Sequence, residues 1–222
     1  MLILLNVLLI LCSQWRFFLL LSLILGSFAC HKSTEQHNPH PLTSLHHQAR
    51  WYLAQNQYRQ AQLLYEHALT LDKKILGAEH PAVATDLNQL AKVYYLQGSF
   101  VQAQFLFQQA LAIREKTLGP QHPQVAESLN NLAVLYDTQK RYSQAQPLYE
   151  RAIAITERCL GQNHPYVATS LAHLARIYRV QGNDAQAQQL YKRARYIFQK
   201  LEETQPDMTE PLHLQTPVAL NN

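Results

Sequence analysis

"LGPQHPQVAESLNNLAVLY", residues 118–136, holds a glycine, a His-Pro pair and then Leu129, Leu132, Ala133 and Tyr136. Those last four fall at i, i+3, i+4 and i+7, which is one apolar stripe of an amphipathic helix. Gly119 suits the end of a preceding helix. Pro123 suits the start of the next, because its φ is already helical and its missing N–H is one that a first-turn residue leaves unused. The stretch reads as a junction between two helical units.

Working outward, the junction recurs. Gly77, Gly119 and Gly161 are 42 residues apart, as are His80, His122 and His164, and Pro81, Pro123 and Pro165. The same period links Leu90, Leu132 and Leu174, then Ala91, Ala133 and Ala175, then Tyr94, Tyr136 and Tyr178. A second series runs through Ala61, Ala103, Ala145 and Ala187, and through Tyr65, Phe107, Tyr149 and Tyr191. Repetition at this spacing marks a stacked array, in which no unit can bury its apolar face alone. Within a unit, Leu87, Leu90, Ala91 and Tyr94 predict a first helix over about 82–97. Gly98 then suits a left-handed C-cap and Ser99 an N-cap, and a second helix over about 100–118 carries Ala103, Leu106, Phe107, Ala110 and Leu111 on one face. The recurring alanines let the two helices approach closely.

This series resembles the tetratricopeptide repeat, whose small residue, Tyr, Ala, aromatic, Ala pattern falls on Ala91, Tyr94, Ala103, Phe107 and Ala110. "LYEHALTLDKKILGAEHPAVA", "LFQQALAIREKTLGPQHPQVA" and "LYERAIAITERCLGQNHPYVA" are similar to the 42-residue repeats of kinesin light chain and its bacterial relatives. The resemblance implies an all-α, right-handed solenoid of about four helix-turn-helix repeats over residues 43–202, divided at about 43–83, 84–125, 126–167 and 168–202. The terminal repeats depart from it, with Gln48 where the others have Leu90, Leu132 and Leu174, and Asp184 where they have Tyr58, Phe100 and Tyr142. After Leu201, Pro206, Pro211 and Pro217 interrupt a stretch without period, so residues 203–222 are expected to form a disordered tail.

The other end is apolar. Residues 2–12 and 17–29 form two runs divided by Ser13, Gln14, Trp15 and Arg16. The second run is shorter than the roughly 17 residues of a spanning helix and suits a signal-peptide core. "LGSFAC" ends in Cys30 before the polar "HKSTEQHNPH", which resembles the signal and acylation site of bacterial lipoproteins. Residues 1–30 are thus expected to be a signal peptide or membrane anchor with Cys30 lipidated, simple cleavage or an uncleaved anchor being the alternatives. Residues 31–42 would be a polar, His-rich tether. The expected location is the bacterial cell envelope, facing the periplasm, or outside the cell if the signal is only cleaved.

Composition narrows the function. A formal charge of +4 on 222 residues is too mild to point to nucleic acid. The five glycines beyond the apolar start occupy repeat turns, leaving no phosphate-cradling loop. Equivalent histidines in stacked repeats stand about 10 Å apart, too far to share a metal bound at about 2 Å, so their expected role is local, at the turn. Cys159, where other repeats have Ile75 and Thr117, is expected to be a core or half-buried helix residue. No cofactor, metal or catalytic constellation is expected.

What remains is a non-catalytic scaffold. The resemblance implies that first helices line a concave face along which an extended protein segment lies. Off the apolar stripe, that face would carry His46, Arg50, Leu53, Asn88, Lys92, Tyr95, Asn130, Val134, Asp137, Ala172, Arg176 and Arg179. Asn88 and Asn130 match the groove asparagines of light-chain-like repeats, where an amide can both donate to and accept from a peptide backbone. Arg50, Lys92, Arg176 and Arg179 against Glu127 and Asp137 favour an acidic ligand. The alternative is a structural component of an envelope assembly, joined through repeat edges.

Overall fold

The computed structural model describes residues 41–204, a run of eight helices. They are α1 (Pro41–Ala54), α2 (Tyr58–Leu76), α3 (Pro81–Leu96), α4 (Phe100–Leu118), α5 (Pro123–Thr138), α6 (Tyr142–Leu160), α7 (Pro165–Val180) and α8 (Asp184–Thr204). Residues 1–40 and 205–222, which include the expected signal, Cys30, most of the tether and nearly all of the tail, lie outside the described residues. The helices form four hairpins, the first closed by Ala49, Tyr52 and Leu53 packing with Ala61, Leu64 and Tyr65, and each second helix also packs on the first helix of the next hairpin. Successive first helices touch as well, α3 against α5 and α5 against α7. The first helices of the later hairpins begin at Pro81, Pro123 and Pro165, three residues before the expected divisions at 84, 126 and 168.

The recurring residues are the core. Ala91, Ala133 and Ala175 on first helices and Ala61, Ala103 and Ala145 on second helices are wholly buried. Tyr65, Phe107 and Tyr149 are buried with them, as are Leu87, Leu129 and Leu171. Each fully buried leucine contributes about 1.5–3 kcal/mol relative to exposure, and a larger side chain in place of an interior alanine would force the hairpin apart.

The junctions are made by backbone chemistry. Gly119 has φ 88° and ψ 154°, a region that only glycine occupies without strain, and its N–H donates to the Glu115 carbonyl at 3.2 Å. His122 then caps α5: its Nδ1 accepts from the Gln124 N–H at 3.2 Å. His80 and His164 do the same for Ala82 and Tyr166 at 3.1 and 3.3 Å. The expected local role of these histidines is therefore N-capping, satisfying a donor that a helix start leaves orphaned. Ser99 precedes α4, but its hydroxyl makes no cap bond. At the hairpin turns, Gly98 and Gly182 are left-handed, and the equivalent residues Asn56 and Lys140 adopt the same conformation. Cys159 departs from expectation: it is exposed, because the last turn of the second helix projects past the packed face, and its thiol donates to the Gln121 carbonyl at 3.2 Å.

Candidate functional site

The side chains expected in a groove form instead, for the most part, a polar ladder between successive first helices. At its start, His46 Nε2 lies 2.5 Å from Asp86 Oδ1. Asp86 is fully buried and Asp72 nearly so, and each has one oxygen without a partner, as does the buried Tyr65 hydroxyl. The hydrogen bond that His46 donates to Asp86 raises its pKa above the ordinary 6.5, outweighing the burial that opposes it. Burial, followed by the Asp86 charge, raises Asp72.

One repeat on, the equivalent of His46 is Asn88. It is not an exposed reader of a peptide backbone, because it is fully buried; its Nδ2 donates to Glu127 at 3.2 Å and its Oδ1 accepts from Asn131 at 3.0 Å. Asn130 is half-buried and accepts the Ser170 hydroxyl at 2.9 Å through Oδ1, while its amide nitrogen has no partner among the described residues. Tyr95 is half-buried, and its hydroxyl meets Thr138 Oγ1 at 2.8 Å. Since Thr138 already donates to the Val134 carbonyl, Tyr95 is the donor. Val134 is half-buried beside it.

The cations divide into two kinds. Lys92 pairs with Glu127 at 3.3 Å, and Arg176 pairs with the buried Asp137, which also has His173 Nδ1 at 3.8 Å. The carboxylates that the sequence sets against these cations thus neutralise them within the ladder. Burial pushes His173 below its ordinary value, and its ring stacks on Tyr149 at 5.4 Å. Arg50 and Arg179 are exposed, the latter 5.7 Å from the Tyr191 ring, and neither has a carboxylate partner among the described residues. Two of the four expected cations remain for an acidic ligand.

Sequence reasoning missed Arg114. It is 2% exposed on α4, and its Nη1 donates to the Gln124 carbonyl at 2.9 Å, Ser128 Oγ at 2.8 Å and Glu127 Oε2 at 3.1 Å. Its Nη2 reaches Thr85 Oγ1 at 3.5 Å. The signal was present in the register: Asp72, Arg114, Thr156 and Phe198 share one column, the kind of position where an otherwise regular repeat becomes individual. One repeat beyond Arg114 lies a cavity of about 300 Å³ lined by Lys92, Glu127, Asn130, Thr156, Thr169 and Ser170 among others. Among the described residues no group of His, Cys, Asp and Glu is placed to hold a metal ion, and no helix is long and apolar enough to cross a membrane.

These features agree with known relatives. A family model described as the tetratricopeptide repeat matches residues 42–116, 87–158 and 139–200. Comparison with curated proteins returned no significant match. Among solved structures, BtubC (BKLC) from P. vanneervenii is 26% identical with a TM-score of 0.67, over 79% of this chain and 70% of that one. A Podosopora anserina putative kinesin light chain with nearly identical TPR-like repeats is 32% identical with a TM-score of 0.58, over 81% of this chain and 83% of that one. The chain belongs to the tetratricopeptide repeat family, with repeats of the kinesin-light-chain-like kind.

Proposed function

We propose that this chain is a scaffold that holds an extended segment of a partner protein along its first helices, and that Cys30 and the residues after it tether the scaffold to a bacterial membrane. Tetratricopeptide repeats generally mediate contacts between proteins. The observation that carries the groove reading is the cavity beside Lys92 and Asn130, two of the side chains expected to meet a ligand. Half-exposed Leu53, Tyr95 and Val134 offer apolar contact on the same helices, and Arg50 and Arg179 lie towards its two ends. Acidic residues of the segment would sit at those ends. The tether reading rests on the resemblance of "LGSFAC" to a lipoprotein acylation site.

A photo-crosslinker placed at Val134, with a second at Phe105 on α4 as control, tests the groove. The partner should crosslink from Val134 and not from Phe105, and Asn130→Ala should weaken it. A reversed pattern would overturn the reading. Mass spectrometry of the mature N-terminus tests the tether, and an unmodified Cys30 would remove it.

The edge-assembly reading has one observation in its favour. Trp51 is 55% exposed on α1, in the column where Val93, Leu135 and Ile177 are fully buried against the neighbouring repeat. If removing the Trp51 side chain abolished partner binding and Asn130→Ala did not, assembly through the end of the array would replace the groove.

A further inference from the structure

The repeats supply their own comparison for the cavity between the third and fourth units. At the preceding boundary the same space is occupied. There the guanidinium of Arg114 sits on four acceptors: the Gln124 carbonyl, the Glu127 carboxylate, Ser128 Oγ and Thr85 Oγ1. Adding 42 to each number gives Tyr166, Thr169, Ser170 and Glu127, all of which line the cavity, as does Thr156, the counterpart of Arg114. Threonine is too short to fill the place of an arginine. The cavity includes the place that its missing guanidinium would take and extends beyond it, to Lys92 and Asn130.

Hydrogen-bond accounting says what the space accepts. The Thr156 hydroxyl donates to the Ala152 carbonyl at 2.8 Å, Thr169 to the Pro165 carbonyl at 3.2 Å and Ser170 to Asn130 Oδ1 at 2.9 Å. With their protons committed, all three hydroxyls offer only lone pairs, and the Glu127 carboxylate accepts as well. The donors in the lining are the Asn130 and Gln124 amides, the Tyr166 hydroxyl, the Asn131 amide, which is held on Asn88 Oδ1 at 3.0 Å, and Lys92 Nζ, which is held at 3.3 Å on Glu127 Oε1; the Gln124 amide and the Tyr166 hydroxyl can accept as well. A planar group with several N–H donors in a fixed fork matches this set better than a carboxylate or an ammonium does.

We infer that the cavity is a receptor for a guanidinium, the side chain of an arginine in the partner segment, seated as Arg114 is seated one repeat earlier. The inference rests on the groove reading, since Lys92 and Asn130 belong to both. It gives that reading a polarity: arginine at the third boundary, with carboxylates towards Arg50 and Arg179. Lys92 and Arg114 already share Glu127, so a further cation there competes with them.

The test uses the full-length chain and fluorescein-labelled, end-blocked alanine pentapeptides whose central residue is arginine, citrulline, lysine or alanine, followed by anisotropy. The arginine peptide should bind about tenfold or more tightly than the alanine peptide, the expectation for a charge-assisted hydrogen-bond set. Thr156→Arg, which supplies the guanidinium from within, should abolish that preference and raise the melting temperature. Lys92→Met should strengthen arginine binding. Should Thr156→Arg fail to fold, Thr169→Val with Ser170→Ala removes two acceptors and should erase the preference by itself. Arginine and alanine peptides binding alike, or an arginine preference that survives every cavity variant, would overturn the assignment. Binding of all four peptides alike, weakened by a groove variant such as Val134→Asp, would sink the cavity inference while sparing the groove, so the two fail separately.

Discussion

Pro147 lies inside α6, at the sixth residue of a helix that begins at Tyr142. The Ala145 N–H already donates to the Arg141 carbonyl at 3.1 Å, so the helix is in register before the proline is reached. Pro147 has no N–H to give to Ser143, and its ring crowds that carbonyl. A proline within a helix costs about 3 kcal/mol relative to a good helix former, of which about 0.4–1 kcal/mol is returned because proline also restricts the unfolded chain. Pro147 is exposed, so replacing it forfeits no packing, and the fourth repeat has glutamine in this column, at exposed Gln189. Pro147→Gln should therefore stabilise the array by about 2 kcal/mol, which for a protein of this size raises the melting temperature by about 4–8 °C. Gln189→Pro should lower it by a similar amount. Thermal and urea melts of both variants by far-UV circular dichroism provide the measurement. If Pro147→Gln melts at or below the parent while Gln189→Pro lowers the transition, the reasoning fails: the proline would be serving the third repeat in a way that helix propensity does not capture.

Ala133→Leu, at a fully buried first-helix position, should overpack the hairpin and destabilise it by about 1–3 kcal/mol, whereas Ala154→Leu on the exposed face of α6 should stay within about 0.5 kcal/mol. Equal urea midpoints for the two would contradict the assigned faces. His46 makes the start of the array pH-dependent. Its folded pKa is raised, so the stability it contributes is complete below its ordinary 6.5 and is lost as pH rises through the higher folded value. The melting-temperature gap between the parent and His46→Ala should be larger at pH 6 than at pH 9, and a gap that is constant or grows with pH would refute the ion pair with Asp86.

The fold was legible because the same physical requirement is stated several times over. Gly119, His122 and Pro123 end one hairpin and start another for local reasons of φ and hydrogen bonding, and a 42-residue copy of each confirms the reading. The ladder was less legible. Lys92 meets Glu127, Asp137 meets Arg176 and His46 meets Asp86 at separations of 35, 39 and 40 residues. These are pairings across one repeat, offset by about two helical turns at Lys92 and by one or less at the other two, and a list of charges on one face does not contain them. Counting cations there made the groove look ready for carboxylates, although two of the four had partners in the next helix. Lys92 and Arg176 therefore tie neighbouring first helices together, whatever they offer a ligand.

Columns that repeat describe the scaffold, and columns that do not describe what is particular to this chain. At His46, Asn88, Asn130 and Ala172 the ladder passes from a titratable rung to neutral ones and then to none. At Asp72, Arg114, Thr156 and Phe198 the same packing site receives a carboxylate, a guanidinium, a hydroxyl and a ring. Two of these choices have charged neighbours: Asp72 lies near His46 as well as Asp86, and Arg114 lies on the Glu127 carboxylate with Ser128 as a further acceptor. Thr156 has a small side chain, yet the acceptors of an arginine site stand around it. A scaffold under selection for packing alone would be expected to close that space with a larger apolar side chain or to remove its polar lining. That both the space and the polar lining are present at the boundary next to Asn130 is the physical reason to look there for the residue that a partner contributes.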